Sequence, residues 1–250
     1  MSADSSLLKK GLAILLSFAN TKSGQTASEI SAKMGLPFST TSRILKALED
    51  EGFLERDSRG KQYRPGHNCY YLGTIAREYD ILRRVSLPVM ESLRHCFQET
   101  VIIYVREGDL RVYYEQLEGA KALKRMERVG STAPLWVGSA SRCLLAWTSN
   151  EDLERIYANI RPLCVNTILD KDAAIRNTIE VRESGYSISV SEREEGVCSV
   201  SVPILDAPRS VIASLTITGP ALRFDDAVLL KMIPAMKDAA QRISKQLGNA

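Results

Sequence analysis

The fold is decided by residues 26–64, which read TASEISAKMGLPFSTTSRILKALEDEGFLERDSRGKQYR. Thr26 and Glu29 have the spacing of a capping box, in which each side chain accepts a hydrogen bond from the other residue's amide. Gly35 suits the left-handed backbone that often ends a helix. Pro37 suits the start of the next helix, where no amide donor is missed. Two helices joined by so short a turn must cross steeply, which predicts a helix-turn-helix.

The second helix, predicted over residues 37–51, has an apolar face and a polar face. Ile44, Leu45 and Leu48 recur at helical spacing, so we expect them to pack in a small core. The partners expected in that core are Leu12, Leu15, Ile30 and Leu36. The other face carries small hydroxyl groups and basic side chains, which allow close approach to DNA and hydrogen bonding to base edges.

A basic hairpin completes the pattern of a winged helix-turn-helix. Residues 53–56 and 61–64 are strand-like and flank a polar turn that contains glycine. Cations at the tip of such a wing contact phosphates, which supplies affinity and register but no sequence choice. The predicted DNA-contacting residues are Ser28, Ser39, Thr40, Thr41, Arg43, Lys46, Arg59 and Lys61. The alternative is that Ser39 and Thr40 only cap the helix and that Arg43 is a solvated charge, but the flanking turn and hairpin favour DNA binding.

Charge and composition limit the possible classes of protein. Residues 1–66 hold ten Lys and Arg against seven Asp and Glu, whereas residues 67–250 hold 23 of each, so the net positive charge lies in the predicted DNA-binding segment. No apolar run approaches the ~20 residues that span a bilayer, and no signal peptide is evident, which predicts a cytoplasmic protein. Five scattered cysteines without a C-x-x-C pair, and two histidines, predict neither disulfides nor a metal site, and no cofactor is predicted.

The rest of the chain predicts an α+β domain around an antiparallel sheet. An amphipathic helix is predicted over residues 69–84, and Pro88 is predicted to begin or restart another helix. Strands are predicted at 101–105, 111–114, 186–191, 198–205 and 211–218, and helices at 139–148, 152–158, 173–183 and 225–247.

Motifs of catalysis are weak, so we predict that the chain is not an enzyme. The segment Gly138-Ser139-Ala140-Ser141-Arg142 lacks the second glycine of the nucleophile elbow G-x-S-x-G. Neither histidine has the context of a general base, and no phosphate-binding loop or dinucleotide fingerprint is present. An architectural DNA-binding protein without a ligand is the remaining alternative, but the long segment after the predicted linker argues against it.

Several motifs, in their order and spacing, resemble the IclR family of transcriptional regulators. They are residues 26–30, 35–40, 63–66, 99–101, 128–131, 134–135, 194–197, 202–204 and 215–220. The resemblance implies a winged helix-turn-helix over residues 1–66, a linker helix over 67–84 and a GAF-like effector-binding domain over 85–250. It also implies a homodimer or dimer of dimers on double-stranded operator DNA, and a small organic acid or aromatic metabolite as effector.

The same resemblance implies the position of the effector site. The residues carried over are Ser139, Ala140, Ser189, Ser199, Ser201, Thr216 and Thr218. Amides at the helix start would attract an anion, and hydroxyl groups would orient it without adding negative charge. No acidic side chain is expected in this ring, and Arg142 stands where most relatives have lysine. Trp136 is either a wall of the site or a core residue.

Overall fold

The computed structural model describes residues 3–21, 23–58, 60–207 and 210–248. The chain forms two compact units, Met1–Asp80 and Ile81–Ala250. In the first unit the helices are α1 Ala3–Ser17, a 3-10 turn Phe18–Asn20, α2 Ala27–Met34, α3 Phe38–Asp50 and α4 His67–Tyr79, with strands β1 Leu54–Arg56 and β2 Tyr63–Pro65. Strands β1 and β2 pair antiparallel and form the wing.

The predicted capping box is present at the start of α2. The Thr26 hydroxyl accepts a hydrogen bond from the Glu29 amide at 3.2 Å, and the Glu29 carboxylate accepts one from the Thr26 amide at 2.7 Å. Because these bonds stabilise the carboxylate, the pKa of Glu29 lies below its ordinary value. Gly35 ends the helix at φ 61°, in the left-handed region. The turn before α3 is therefore built as the sequence predicts.

The core of the first unit contains Ile14, Ile30, Leu45, Leu54 and Tyr63, all buried. Leu15, Leu36 and Leu48 pack against it as partly buried residues. The prediction was wrong for Leu12, whose side chain is 51% exposed. The reason is helical geometry, because Leu12 lies two residues before Ile14 and thus about 200° around the helix from the buried position.

The second unit is a six-stranded antiparallel sheet with helices on both faces. Its strands are β3 Thr100–Glu107, β4 Leu110–Leu117, β5 Thr132–Pro134, β6 Ser187–Val190, β7 Val197–Ala207 and β8 Ser210–Pro220, in the order β5-β4-β3-β8-β7-β6. Its helices are α5 Ile81–Phe97, α6 Ser139–Leu145, α7 Asn150–Ile156, α8 Lys171–Ile179, α9 Val181–Ser184 and α10 Asp226–Leu247, with 3-10 turns Tyr157–Asn159 and Ala221–Arg223. The predicted α+β fold with an antiparallel sheet is confirmed.

Side chains of β3 alternate between two cores. Val101 and Ile103 pack with residues of α5 and α10 on one face. Ile102 and Tyr104 pack with residues of α6, α7 and α8 on the other face. This second face carries the hydroxyl-bearing residues of β6, β7 and β8 that the sequence analysis assigned to the effector site.

The helix predicted to connect the two units differs from the structure. Helix α4 ends at Tyr79, Asp80 is extended with ψ 100°, and α5 begins at Ile81. Pro88 lies inside α5 and does not start a helix. A proline removes one backbone hydrogen bond, but α5 also buries Val89, Met90 and Leu93 against the sheet. Burial of these side chains outweighs the lost bond.

Candidate functional site

Helix α3 presents part of the predicted DNA-contacting set on its open face. Ser39, Arg43 and Lys46 are exposed, and Thr40 is half-buried. Arg43 forms no ion pair with any described residue, so its guanidinium is available to a base or a phosphate. Ser28, on α2, is also exposed.

Thr41 is a wrong prediction for DNA contact. Its side chain is fully buried, and its hydroxyl donates a hydrogen bond to the Pro37 carbonyl at 3.2 Å. Residues three and four positions apart share a helix face, so Thr41 lies with Ile44 and Leu45 on the core side. Thr41 was assigned to DNA contact because its neighbours also carry hydroxyl groups, and the helical periodicity was not applied to it.

The lysines of α3 and of the wing differ in whether their charge is paired. Lys46 pairs with Asp50 at 2.6 Å, but both side chains are exposed, and such pairs contribute little and exchange readily. Lys61 is exposed and forms no ion pair with a described residue; its amide donates to the Asp57 carboxylate at 2.9 Å, which orders the turn. Arg59 lies outside the described residues. Arg56 and Arg64, on the strands of the wing, pair with Glu49 and Glu55. Among the described residues of the wing, Lys61 is therefore the cation without an ion pair.

A cavity of about 390 Å³, counted with its open mouth, lies in the second unit between the sheet and the start of α6. Five of the seven predicted effector residues line it: Ser139, Ala140, Ser189, Ser199 and Thr216. The remaining lining residues are Tyr104, Arg111, Arg125, Gly138, Glu192, Arg193, Glu194 and Val197. Trp136 is not a lining residue and packs against the apolar cluster of Ile102, which favours its core alternative.

The structure does not bring Ser201 and Thr218 to the cavity wall. Both side chains are fully buried. Ser201 exchanges hydrogen bonds with the hydroxyls of Ser139 and Thr216, each at 2.8 Å. Thr218 bonds to Ser199 at 2.9 Å and donates to the Cys198 carbonyl at 2.9 Å. These two hydroxyls lie behind the lining residues and orient them.

Contrary to expectation, acidic side chains do line the cavity. Glu192 is buried, and its carboxylate accepts two hydrogen bonds from Arg142, both at 2.8 Å. It also accepts one from the Gly138 amide at 3.2 Å. Glu194 accepts from Arg125 at 3.0 Å. The prediction failed because it considered only positions near Ser189, whereas the bend after β6 returns these glutamates to the cavity.

Arg111 is the most informative residue that the sequence analysis missed. Its side chain is buried, and it donates to the Val137 carbonyl and the Ser141 hydroxyl at 3.3 and 3.2 Å. Among the described residues its Nε has no hydrogen-bond partner, and no carboxylate pairs with it. The guanidinium stacks on Tyr104 at 4.7 Å. A buried cation without a counter-ion is costly and favours an anion in the cavity that it lines.

Two further arginines, Arg125 and Arg193, line the cavity and donate hydrogen bonds to Tyr113. The Tyr113 hydroxyl accepts from Arg193 at 2.5 Å and from Arg125 at 3.3 Å. Burial disfavours its phenolate, but the positive charge of Arg111, Arg125 and Arg193 outweighs burial and lowers the pKa of Tyr113. Burial raises the pKa of the neighbouring Tyr104. The wall of the cavity is therefore electropositive despite its two glutamates.

The amides at the start of α6 contribute less to anion binding than the sequence analysis predicted. Helix α6 has seven residues, and the Gly138 amide is already bonded to Glu192. Gly138 adopts φ 90°, and a Cβ there would lie 3.2 Å from an Arg111 nitrogen. The glycine thus lets the arginine approach the helix start, and the arginine supplies the attraction for an anion.

Among the described residues, no helix has the length and apolar composition needed to cross a membrane.

Two protein families match the chain. The family described as "Bacterial transcriptional regulator IclR C-terminal" matches residues 74–245. The family described as "IclR helix-turn-helix domain" matches residues 7–58. The HTH-type transcriptional regulator KipR of Bacillus subtilis is 29% identical over 241 residues, with 96% of each chain covered. The HTH-type transcriptional repressor AllR of Escherichia coli K12 is 28% identical over 243 residues, covering 96% of this chain and 90% of the relative.

Solved structures have the same fold. An IclR transcriptional regulator from Alicyclobacillus acidocaldarius is 23% identical with a TM-score of 0.89, covering 97% of this chain and 99% of that one. An IclR homolog from Microbacterium hydrocarbonoxydans, crystallised in complex with 4-hydroxybenzoate, is 26% identical with a TM-score of 0.83. That comparison covers 98% of this chain and 100% of the homolog.

Proposed function

The chain belongs to the IclR family of bacterial transcriptional regulators, and from this membership we propose that a small organic acid in the cavity of the second unit changes the affinity of α3 for operator DNA. The observation that carries the proposal is Arg111, a buried guanidinium at the cavity wall with no counter-ion among the described residues. A carboxylate would supply that counter-ion through charge-assisted hydrogen bonds. The relative from Microbacterium hydrocarbonoxydans, whose bound molecule is a carboxylate, supports this choice of ligand.

The lining set is revised accordingly. We propose that Arg111, Ser139, Ala140, Ser189, Ser199 and Thr216 contact the effector, and that Ser201 and Thr218 position the hydroxyl-bearing side chains. The DNA-contacting set becomes Ser28, Ser39, Thr40, Arg43, Lys46 and Lys61, with Arg59 kept as a sequence-based member. As functional parts of the chain we propose residues 1–66 for DNA binding, 67–84 for the connection and 85–250 for effector binding.

Three further properties belong to this proposal. The protein acts as a homodimer or dimer of dimers, because one recognition helix covers few base pairs and a two-fold pair reads two half-sites. It catalyses no reaction, in keeping with relatives that are named as regulators and repressors. It works in the cytoplasm, where bacterial operator DNA lies.

The test combines a ligand screen with an operator-binding assay. A ligand that binds only the folded protein raises its thermal stability by mass action, so small carboxylates are screened by thermal unfolding. Each stabilising acid is then added to a titration of the full chain against operator DNA. A tenfold change in operator affinity needs ~1.4 kcal/mol of coupling. If a stabilising acid left operator affinity unchanged, the proposed coupling would be wrong.

A further inference from the structure

Phe38 is an exposed aromatic side chain at the first position of α3. All five phenylalanines lie in the described parts of the chain; two are buried, two are half-buried, and Phe38 is 56% exposed. Leu36, two residues earlier, packs against the core of the first unit. A single exposed apolar side chain is ordinary on a protein surface, but this one stands at the start of the second helix of the helix-turn-helix.

The start of α3 is open to a nucleic acid. In helix-turn-helix proteins the N-terminal residues of the second helix contact base edges in the major groove. Helical side chains lean toward the N-terminus of their helix, so Phe38 projects ahead of α3. The first turn holds no acidic side chain, no side chain caps the helix, and the neighbouring Pro37 and Ser39 are exposed. Neither negative charge nor packing therefore keeps DNA from this ring.

The ring of Phe38 restricts the base edge that it can contact. A phenyl group has no donor or acceptor, so a polar base edge packed against it would lose water without gaining a hydrogen bond. Thymine presents an apolar group in the major groove, its C5-methyl, whereas the other three bases present donors and acceptors there. Contact between the ring and this methyl removes apolar surface of both from water. Thymine is therefore the base that fits Phe38.

We infer that Phe38 packs against the C5-methyl group of a thymine in the operator and sets a preference for that base. The inference rests on the proposed DNA-contacting face of α3, which carries Ser39, Arg43 and Lys46, and it adds to that face a residue without charge. An apolar contact displaces no counterions from the phosphates, so its contribution to affinity is independent of salt concentration. In this it differs from the phosphate contact proposed for Lys61.

The test removes the methyl group from the DNA and the ring from the protein. Selection from random duplexes with the full chain yields a preferred duplex. Each of its thymines is then replaced singly by deoxyuridine, which pairs with adenine in the same way and lacks only the methyl group. In fluorescence anisotropy we expect at least one replacement to weaken binding about fourfold, the ~0.8 kcal/mol of one apolar carbon group, with an unchanged salt slope. Phe38→Ala should bind the thymine and deoxyuridine duplexes alike.

Two further variants test whether the apolar ring is the cause. Phe38→Leu keeps an apolar side chain and should keep part of the preference for the methyl group. Leu163→Ala, at a leucine of the second unit that is 48% exposed, is the control and should keep the full fourfold effect. Because Phe38 is exposed, its replacement should leave the cooperative thermal unfolding of the chain unchanged, which separates lost contact from lost fold.

The outcomes separate this inference from DNA binding itself. If the chain bound its selected duplex but no deoxyuridine replacement weakened binding, the inference would be overturned and DNA binding would stand. The inference would also be overturned if Phe38→Ala lost as much affinity as the original chain on replacement of the same thymine. If no duplex were selected at all, both this inference and the proposed DNA-contacting face of α3 would be wrong.

Discussion

Arg142 donates two hydrogen bonds to Glu192, one to each carboxylate oxygen and both at 2.8 Å, at the wall of the proposed effector cavity. Their side chains are only 6% and 8% exposed. Arg142 also donates to the Ser187 hydroxyl at 2.7 Å and to the Ile188 carbonyl at 2.6 Å. Arg142 therefore joins α6 to β6 and to the bend that follows it. It also neutralises a carboxylate that would otherwise repel the anionic effector proposed above.

Glu192→Ala should destabilise the fold. Removing one partner of a buried ion pair leaves the other charge buried and unpaired, which costs about 3–5 kcal/mol. Chemical denaturation measures the free energy of unfolding. Glu195→Ala is the matched control, because Glu195 is exposed in the same bend and its removal should change stability by less than about 0.5 kcal/mol. Equal stabilities for the two variants would show that the Arg142–Glu192 pair is not a stabilising contact.

Arg111→Met should abolish binding of carboxylate probes with little loss of stability. The substitution removes hydrogen bonds to Val137 and Ser141, but it also removes the cost of burying a charge without a counter-ion. We expect unfolding free energy within about 1 kcal/mol of the original chain, and no stabilisation by any acid. Arg161→Met, at an exposed position, is the control and should keep ligand binding. A carboxylate that bound the Arg111 variant unchanged would remove this residue from the site.

Tyr113 offers a spectroscopic reporter of the arginine cluster. Its lowered pKa means that it ionises at a lower pH than an ordinary tyrosine, so ultraviolet titration should show an early phase that Tyr113→Phe lacks. The lowered pKa also makes the free energy of unfolding depend on pH. The phenolate of Tyr113 stabilises the folded state fully above the ordinary pKa of 10.0, and this stabilisation is lost as the pH falls through the lowered pKa.

The same titration detects an anion in the cavity. A bound carboxylate offsets part of the positive charge of Arg111, Arg125 and Arg193, so it should raise the pKa of Tyr113 back toward its ordinary value. Acetamide, which carries no charge, is the control ligand and should leave the early phase in place. An early phase that persists in Tyr113→Phe would assign it to another tyrosine.

Local patterns in the sequence predicted the first unit well, because its structure is determined over short distances. The capping box needs only Thr26 and Glu29, and the turn needs only the backbone freedom of Gly35. Thr41 was misassigned because a buried threonine and an exposed one look alike without the helical phase. Leu12 was misassigned for the same reason.

The proposed effector cavity was harder to predict because its charged groups come from distant segments. The hydroxyls of β7 and β8 lie opposite one another in register, Ser199 with Thr218 and Ser201 with Thr216, so strand pairing brings them together. Arg111 belongs to a different part of the sheet, and Arg142 meets Glu192 only through tertiary packing. A charged residue next to the apolar run that begins at Val112 was the one local signal for Arg111.

Self-association should depend on the apolar stripe of α1. Leu8, Leu12 and Leu16 are 65%, 51% and 73% exposed and recur every four residues on one helix face. An exposed apolar stripe of this kind favours association with a second copy. Leu12→Glu should shift the protein toward monomer in sedimentation at micromolar concentration and weaken operator binding. Leu222→Glu, at a leucine that is 97% exposed elsewhere, is the control. A monomer in the original chain, with and without DNA, would contradict the proposal.

Replacing Arg43 or Lys61 with alanine should change DNA binding in two different ways. Arg43 is exposed on α3 and can donate two bonds to a guanine, so Arg43→Ala should cost about 1–3 kcal/mol and relax the preference at one base position. Lys61 is exposed on the wing, and we propose that it contacts phosphate. Lys61→Ala should weaken binding to all sequences alike and reduce the salt slope of log K by roughly 1. Fluorescence anisotropy over a salt series, with operator and scrambled duplexes, separates the two effects, and Lys231→Ala at an exposed site of α10 is the control. If both variants kept the operator affinity and salt slope of the original chain, the winged helix-turn-helix would bind DNA through other residues than these.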